Sequence, residues 1–479
     1  MTRAEVVDLL NECERRFPFA ENAWIGDVNI WPLIKTTIGE QLVIHSDTNI
    51  RSSPQKGQKA HIGALKGGVE LLGLKKKVSK AGEVLFISRP EHWVKIHDHW
   101  VERFAYPFIE QLKGLGVNSS IVNLTSRPKD GSINSCTEID LQDIIYFKSL
   151  IWWKTKKPSK LPKVILDGIA WVEEKTHSLN NDYLVQMVFL MMFYDSLFTE
   201  LLTKSKVKTI FIVCFYSAYN MGITRAAARL GISTVDMQHG VQGKNNIAYS
   251  HWILPKEGYN TLPNFFLCWD VKDTDLINSW AKGSPHKAFT GGDLWSETLR
   301  FDDPKIELKN KLPSVPTGDL TVLFSLQPAK DEIPLNLVNA IKASTNIQWW
   351  FREHPLYRKD PNSIRTTLNE LGISNKVKLG AVSDLPIPVI LSKVDLHITN
   401  WSSVVLDAEK VGVPSIIIHP IGKDVFSDMI EEGRAKYYDR AIGLLELIQT
   451  TSGRKGKAER SEIDIKDLLS KVIFRPNEK

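Results

Sequence analysis

Apolar and polar positions along this chain follow two periods in turn. Short apolar runs of strand length recur: EVLFIS at 83–88, SSIVNL at 119–124, KTIFIVCFY at 208–216 and ISTVDM at 232–237. TVLFSLQP at 321–328, NIQWWFREHP at 346–355, KVKLG at 376–380, VDLHI at 394–398 and SIII at 415–418 continue the series. These runs are rich in β-branched and aromatic residues and end in polar turns, as buried strands do. Between them lie stretches of helical spacing, among them VERFAYPFIEQLKGLG, NMGITRAAARLG and VVLDAEKV. Gly231 and Gly412 stop the last two. The stretch from Val394 to Pro420 holds strand, polar turn, helix and strand in the compass of one parallel βαβ unit, with Ser402 or Ser403 expected to cap the helix.

The order strand, helix, strand, helix appears on both sides of a Pro- and Lys-rich connection, PKIELKNKLPSVPTGD. This predicts an α/β chain of two Rossmann-like, doubly wound domains facing a cleft, with an N-terminal helical extension. The expected segments are a helical extension and basic linker over 1–81, a first Rossmann-like domain over 82–300, a second over 318–440, and a closing helix and tail over 441–479. Residues 1–45 read as helical, 125–163 as irregular, and the last twenty or so as loose and charged. The chain after 424 reads as helices.

Composition refines this picture modestly. A chain of 479 residues with 43% hydrophobic content exceeds what one core usually holds. The net charge of +6 suits an anionic substrate or an anionic membrane surface and calls for no nucleic acid. Cys13, Cys136, Cys214 and Cys268 are scattered, which argues against a disulfide framework or zinc site and for a reducing, cytoplasmic setting. The N-terminus reads as a charged amphipathic helix and not as a signal peptide. LVQMVFLMMFYDSLF is interrupted by Asp195 and reads as a buried helix. Two basic stretches leave alternatives open. IGALKGGVELLGLKKK, within 46–81, reads either as a helix lying on the cytoplasmic face of the inner membrane or as a solvated connection. Trp152 and Trp153 beside KTKKPSKLPK read as a patch for a sugar acceptor or membrane interface, or as a surface loop.

Candidate chemistry falls in three loops, each at the C-terminal end of an expected strand, the edge where open α/β sheets bind ligands. They are Gln238-His239-Gly240, the run Arg352 to Pro355, and Asn400 to Ser403. Arg352 offers charge-assisted donors, His354 an imidazole, and Ser402 and Ser403 hydroxyls at a helix start, a set that suits a nucleotide phosphate. Asp407, one turn into that helix, is placed for a ribose hydroxyl, and Ser325 and Gln327 lie in the first loop of the second domain. A histidine of near-neutral pKa can act as general base toward an acceptor hydroxyl, which makes His239 the candidate. Asp236 either orients it, faces the cleft itself, or is a buried and satisfied carboxylate. Gln238, Gly240 and Asn400 would support these loops. Asp302-Asp303 reads as a turn in the linker, so no metal site is expected.

QHG, then R-x-HP, then a T-x-x-SS helix start followed by an acidic residue and GVP, resembles a group of bacterial GT-B glycosyltransferases of surface polysaccharide synthesis. The group includes Kdo transferases, sialyltransferases and CDP-glycerol glycerophosphotransferases. NIWPLIK and the run from QHG to GGDLW are similar to capsule and O-antigen synthesis proteins. The resemblance spans about 236–420 and implies a metal-independent glycosyltransferase. It would use a CMP-activated donor, an ulosonic acid such as Kdo or a sialic-type acid, and a glycan or lipid-linked glycan acceptor, with no cofactor. It implies that His354, Pro355, Ser402 and Ser403 hold the nucleotide phosphates and that Asp407 meets the ribose. A CDP-polyol phosphotransferase and a non-catalytic assembly protein of the same fold are the alternatives. The acidic motif that supplies the sialyltransferase base has no good copy here, Asp167-Gly168 being the nearest, which leaves His239 or Asp236.

Overall fold

The structure, a computed structural model, describes residues 1–45, 81–96, 99–125, 136–301, 308–327, 333–354, 361–451 and 464–473. The basic stretch at 46–80, Asp302-Asp303 and Pro355 lie outside the described residues.

Strands β1 (Trp24–Ile25) and β2 (Val28–Asn29) form a hairpin inside the extension. The first lobe then runs through β3 (Val84–Ser88), the antiparallel hairpin β4 (Trp93–Ile96) and β5 (His99–Glu102), β6 (Ser119–Asn123), β7 (Thr137–Asp140), β8 (Thr209–Ile212), β9 (Ser233–Met237), β10 (Phe265–Cys268) and β11 (Lys287–Thr290). The second lobe carries β12 (Leu320–Ser325), β13 (Ile347–Arg352), β14 (Val377–Lys378), β15 (Leu396–Thr399), β16 (Ser415–Ile417) and β17 (Lys436–Tyr437). The first sheet has the order β11-β10-β9-β8-β3-β6-β7 and the second β14-β13-β12-β15-β16-β17, every pair parallel. Each sheet grows outward from its first strand one way, then reverses to the other side. The reversal lies between β3 and β8 in one lobe and between β12 and β15 in the other. Helices cover both faces, so β3, β8 and β15 are buried along their whole length, which is why they read as unbroken apolar runs. This is the GT-B architecture, two doubly wound Rossmann-like units facing a cleft with a helical extension.

Several segments depart from the sequence reading. The first 45 residues are not helical throughout. Gly26, at φ +61°, turns the β1–β2 hairpin, a left-handed conformation that favours glycine. The polar stretch after β3 closes into the β4–β5 hairpin. Residues 125–163 contain β7 and the helix Gln142–Thr155, so the Trp152-Trp153 pair sits on a helix rather than in a loop. Beyond 424, β17 extends the second sheet between helices. The tail expected to be loose holds the helix Ile465–Ile473, whose Leu468, Leu469 and Val472 are buried with Val84 and Phe86 in the first lobe. A charged amphipathic segment looks unstructured when its apolar partner lies hundreds of residues away.

The extension shares the first lobe's core. Helix Arg3–Arg16 starts on a capping box between Thr2 and Glu5. Its Glu14 meets Lys35 of helix Trp31–His45 at 2.6 Å, both side chains almost wholly buried. The apolar helix Asn181–Leu202 is long enough to cross a bilayer, yet it packs on helix Ala218–Arg229 and carries Asp195 paired with Arg229 at 2.9 Å. Gly222 permits that approach, because a Cβ there would collide with the Met191 carbonyl and with Tyr194. Gly222→Ala is expected to cost about 1–3 kcal/mol by overpacking. A thermal midpoint equal to the parent's would show that the helices can part freely.

Candidate functional site

The two strand-order reversals open on the same space. Arg89 follows β3 and Cys214 follows β8, while Ser325 and Gln327 end β12, and Ser402 and Ser403 follow β15. All of them line one cleft of about 350 Å³ between the lobes. His239, Arg352, His354 and Asp407 line it too. The crevice at a reversal exists because the helices on either side leave in opposite directions. A Cβ added at Gly240 would lie 3.7 Å from that of Ser403, so the QHG loop of one lobe abuts the serine turn of the other.

On the first-lobe wall, His239 is half-buried. Its Nε2 lies 3.0 Å from Cys214 Sγ and 3.5 Å from Tyr216 Oη. Burial, helped by the nearby Arg103 charge, lowers its pKa to about 3, so the imidazole is neutral at pH 7. The near-neutral pKa expected from sequence is therefore not that of the unliganded cleft. Cys214 stands at φ +61°, an uncommon conformation for a residue with a side chain, and burial pushes its thiol pKa up to about 12. A strained residue that touches the candidate base marks this strand end as functionally constrained.

Asp236 does not reach the cleft. It is fully buried, accepting from the Phe215 N–H at 3.1 Å and the Tyr249 hydroxyl at 2.7 Å, and burial raises its pKa to about 7. The buried, satisfied reading of this carboxylate is the correct one. Strand alternation explains it, since Asp236 and Gln238 share a side and His239 takes the other. Gln238 pins its loop by donating to the Gly240 carbonyl at 2.9 Å and to Asp273 at 2.7 Å, while accepting from the Trp269 N–H. Asn400 is buried behind the serine turn and is not part of the cleft lining.

On the second-lobe wall, Arg352 donates through Nη1 to the carbonyls of Val382, Ser383 and Leu385, which ties the 382–385 segment to the end of β13. Ser325 Oγ lies 2.7 Å from Nε2 of the buried His397, whose Nδ1 lies 3.0 Å from Ser415 Oγ. Its hydroxyl is thus committed to the sheet. Helix Val404–Lys410 is only seven residues long and has no side-chain cap from Ser403. Ser402 Oγ instead accepts weakly from the Val404 N–H at 3.4 Å, and its own N–H donates to Thr399 Oγ1 at 3.0 Å. Of the two serines expected to cap the helix, Ser402 makes this weak contact and Ser403 makes no cap. Asp407 has a raised pKa, from burial and from Asp293 across the cleft.

Several cleft residues escaped the sequence reading. Arg89, which lies 2.8 Å from both Glu91 and the Tyr219 hydroxyl, and Arg103 bring two cations to the first-lobe wall, where Glu91 and Asp293 also stand. Trp269 and Trp295 are in the lining too, and Lys410 bridges the lobes to Asp293 at 3.2 Å. The signal available for Arg89 was its place directly after the first strand, and for Asp293 its place after Gly291-Gly292. No group of acidic, histidine and cysteine side chains with metal-holding geometry occurs among the described residues.

No protein-family model matches this chain, and no curated protein matches it in sequence. Solved structures of similar shape exist. The UDP-GlcNAc 2-epimerase of Neisseria meningitidis, bound to UDP-GlcNAc, is 14% identical with a TM-score of 0.49, over 81% of this chain and 99% of the other. The Methanocaldococcus jannaschii UDP-GlcNAc 2-epimerase with UDP-GlcNAc and UDP is 13% identical with a TM-score of 0.47, over 81% and 99%. The wall teichoic acid polymerase TagF with CDPG is 10% identical with a TM-score of 0.41, over 87% and 93%. The GT-B architecture of this chain rests on its own two parallel sheets and the cleft where their strand orders reverse.

Proposed function

We propose that this chain is a GT-B transferase that moves a glycosyl group from a nucleotide-activated donor to a glycan or lipid-linked glycan acceptor. One observation carries the reading. His239, in the loop after β9 next to the first reversal, and the Ser402–Ser403 turn, at the second, come from different lobes and line one cleft at the C-terminal ends of the strands, the edge where doubly wound sheets hold ligands. Arg352, His354, Ser402 and Ser403 form the donor side, with Gln327 and Asp407 beside them. Arg89 and Arg103 face them from the first lobe.

In this mechanism the acceptor hydroxyl gives its proton to neutral His239 as its oxygen bonds to the anomeric carbon. The bond from that carbon to the phosphate oxygen breaks, and the electron pair leaves with the nucleotide. Arg352, the serine hydroxyls and the cations opposite stabilise that charge without a metal. Donor phosphates near His239 raise its pKa from the low value of the free cleft, making it a better base when the substrate is present. Cys214 and Tyr216 beside Nε2 hold the ring in place against the strand end.

The motif resemblance favours a cytidine nucleotide, CMP-linked to an ulosonic acid such as Kdo or a sialic-type acid, for a bacterial surface polysaccharide built at the cytoplasmic face of the inner membrane. CMP or CDP is expected to raise the thermal midpoint, by about 2.7 kcal/mol of stabilisation at a hundredfold excess over Kd, with UDP and ADP much weaker. His354→Ala should lose most of that shift. A larger shift with UDP ends the cytidine reading. No shift with any nucleotide ends the transferase reading and leaves a non-catalytic assembly protein. A donor screen by mass spectrometry with CMP-Kdo, CMP-sialic acid and CDP-glycerol then separates glycosyl transfer from polyol-phosphate transfer.

A further inference from the structure

We propose that helix Gln142–Thr155 and the lysine-rich stretch after it form a docking surface for an anionic lipid bilayer. The helix is apolar on both sides. At 100° per residue, Tyr146, Phe147, Leu150, Ile151 and Trp153 fall within one arc of about 160°, which also holds Asp143 in the first turn and Lys154 in the last, opposite Ile145, Lys148 and Trp152. The inner side has its partners: Trp152 packs on Phe189 and Phe193, with ring centroids 5.6 and 5.9 Å away, and Lys148 meets Glu200 at 2.9 Å. The outer arc is open to solvent, with Leu150 38%, Ile151 44% and Trp153 51% exposed, although one edge of the Trp153 ring meets Phe189 at a centroid distance of 4.6 Å. A surface helix ordinarily turns a polar face outward.

Charge chooses the occupant. From Gln142 to Lys163 the helix and the stretch after it contain six lysines against one acidic residue, Asp143. Lys154, Lys156, Lys157 and Lys160 are all exposed at the C-terminal end of the helix and just beyond it. Lysine is depleted at protein interfaces, whereas a basic run flanking exposed Trp, Ile and Leu matches the headgroup region of an anionic membrane. There the lysine stems lie along the apolar boundary while the ammonium groups meet lipid phosphates, and the tryptophan ring sits at the interface. The surface lies outside the cleft lining, so the inference stands independently of the transfer reading.

The test is co-sedimentation of the full chain with vesicles of phosphatidylcholine alone or with added phosphatidylglycerol. The parent should sediment only with the anionic vesicles and be released by high salt. The double variant Ile151→Ser, Trp153→Ser and the triple variant Lys154→Glu, Lys156→Glu, Lys157→Glu should each bind at least tenfold less, with far-UV circular dichroism and thermal midpoint unchanged. These substitutions separate this surface from any other basic segment of the chain. Variants that sediment like the parent overturn the proposal. So does equal binding to neutral vesicles, binding indifferent to salt, or absence of vesicle binding in a chain that instead captures a protein through the same helix.

Discussion

His239→Ala is expected to slow transfer by about 10²- to 10⁴-fold, the usual range for losing a positioned proton acceptor, while the nucleotide-induced thermal shift stays near that of the parent. The separation follows from the geometry. His239 is supplied by the loop after β9 in the first lobe, whereas Arg352, His354 and the serine turn belong to the second. Removing the imidazole leaves the donor side intact. The profile of kcat/KM against pH should add a signature. In the free enzyme, burial and the nearby Arg103 charge depress the His239 pKa to about 3. Protonation of this group therefore does not cut kcat/KM as pH falls through 6.5, and its loss is expected only near the depressed value. The limb in kcat should lie higher, because bound phosphates favour the imidazolium. A variant that turns over normally would remove His239 from the chemistry. Cys214→Ala is a milder companion, with slower turnover and unchanged nucleotide affinity as the expected split.

The largest stability effect is expected at Glu14→Ala. Glu14 Oε2 accepts from Lys35 Nζ at 2.6 Å, and Oε1 accepts from Trp31 Nε1 at 2.9 Å and from the Ile253 N–H at 3.2 Å. Lys35 also donates to the His251 carbonyl at 2.7 Å and lies 4.5 Å from the centre of the Trp252 ring. Cutting Glu14 to alanine strands a buried ammonium and leaves two donors without their acceptor, at a cost of about 3–5 kcal/mol. The thermal midpoint of the first-lobe transition should fall accordingly. Glu14→Leu combined with Lys35→Met should recover most of the loss, because the double change removes both desolvated charges together. A midpoint unmoved by the single substitution would mean that the extension is not held to the first lobe by this pair.

These two sites show where sequence reading succeeds and where it stops. The QHG loop was legible because an apolar, β-branched run precedes it and polar residues interrupt it, a purely local signal. The Glu14–Lys35 pair was not, because its members sit on different helices and two of its further partners, His251 and Ile253, lie more than two hundred residues away. Asp236 falls between these cases. Both faces of β9 are covered, so alternation alone does not say what the carboxylate meets, and only the tertiary position of Tyr249 supplies its partner. The Trp152-Trp153 pair was noticed from composition alone. That Trp152 packs on Phe193 while Trp153 touches Phe189 and stays 51% exposed needed the helix and its neighbour.

The sequence by itself determined the strand-and-helix series, the repetition of that series in two units, and the loops at strand ends where ligands meet parallel sheets. Those features follow from hydrophobic period and turn chemistry, which act over a few residues. Only the tertiary structure decided which loops share a cleft. It also decided that Arg89, Arg103 and Asp293 stand in it, that Asp236 turns away, and that the helix Ile465–Ile473 returns to the first lobe. Strand order and lobe packing make those choices, by burying apolar surface between segments far apart in the chain.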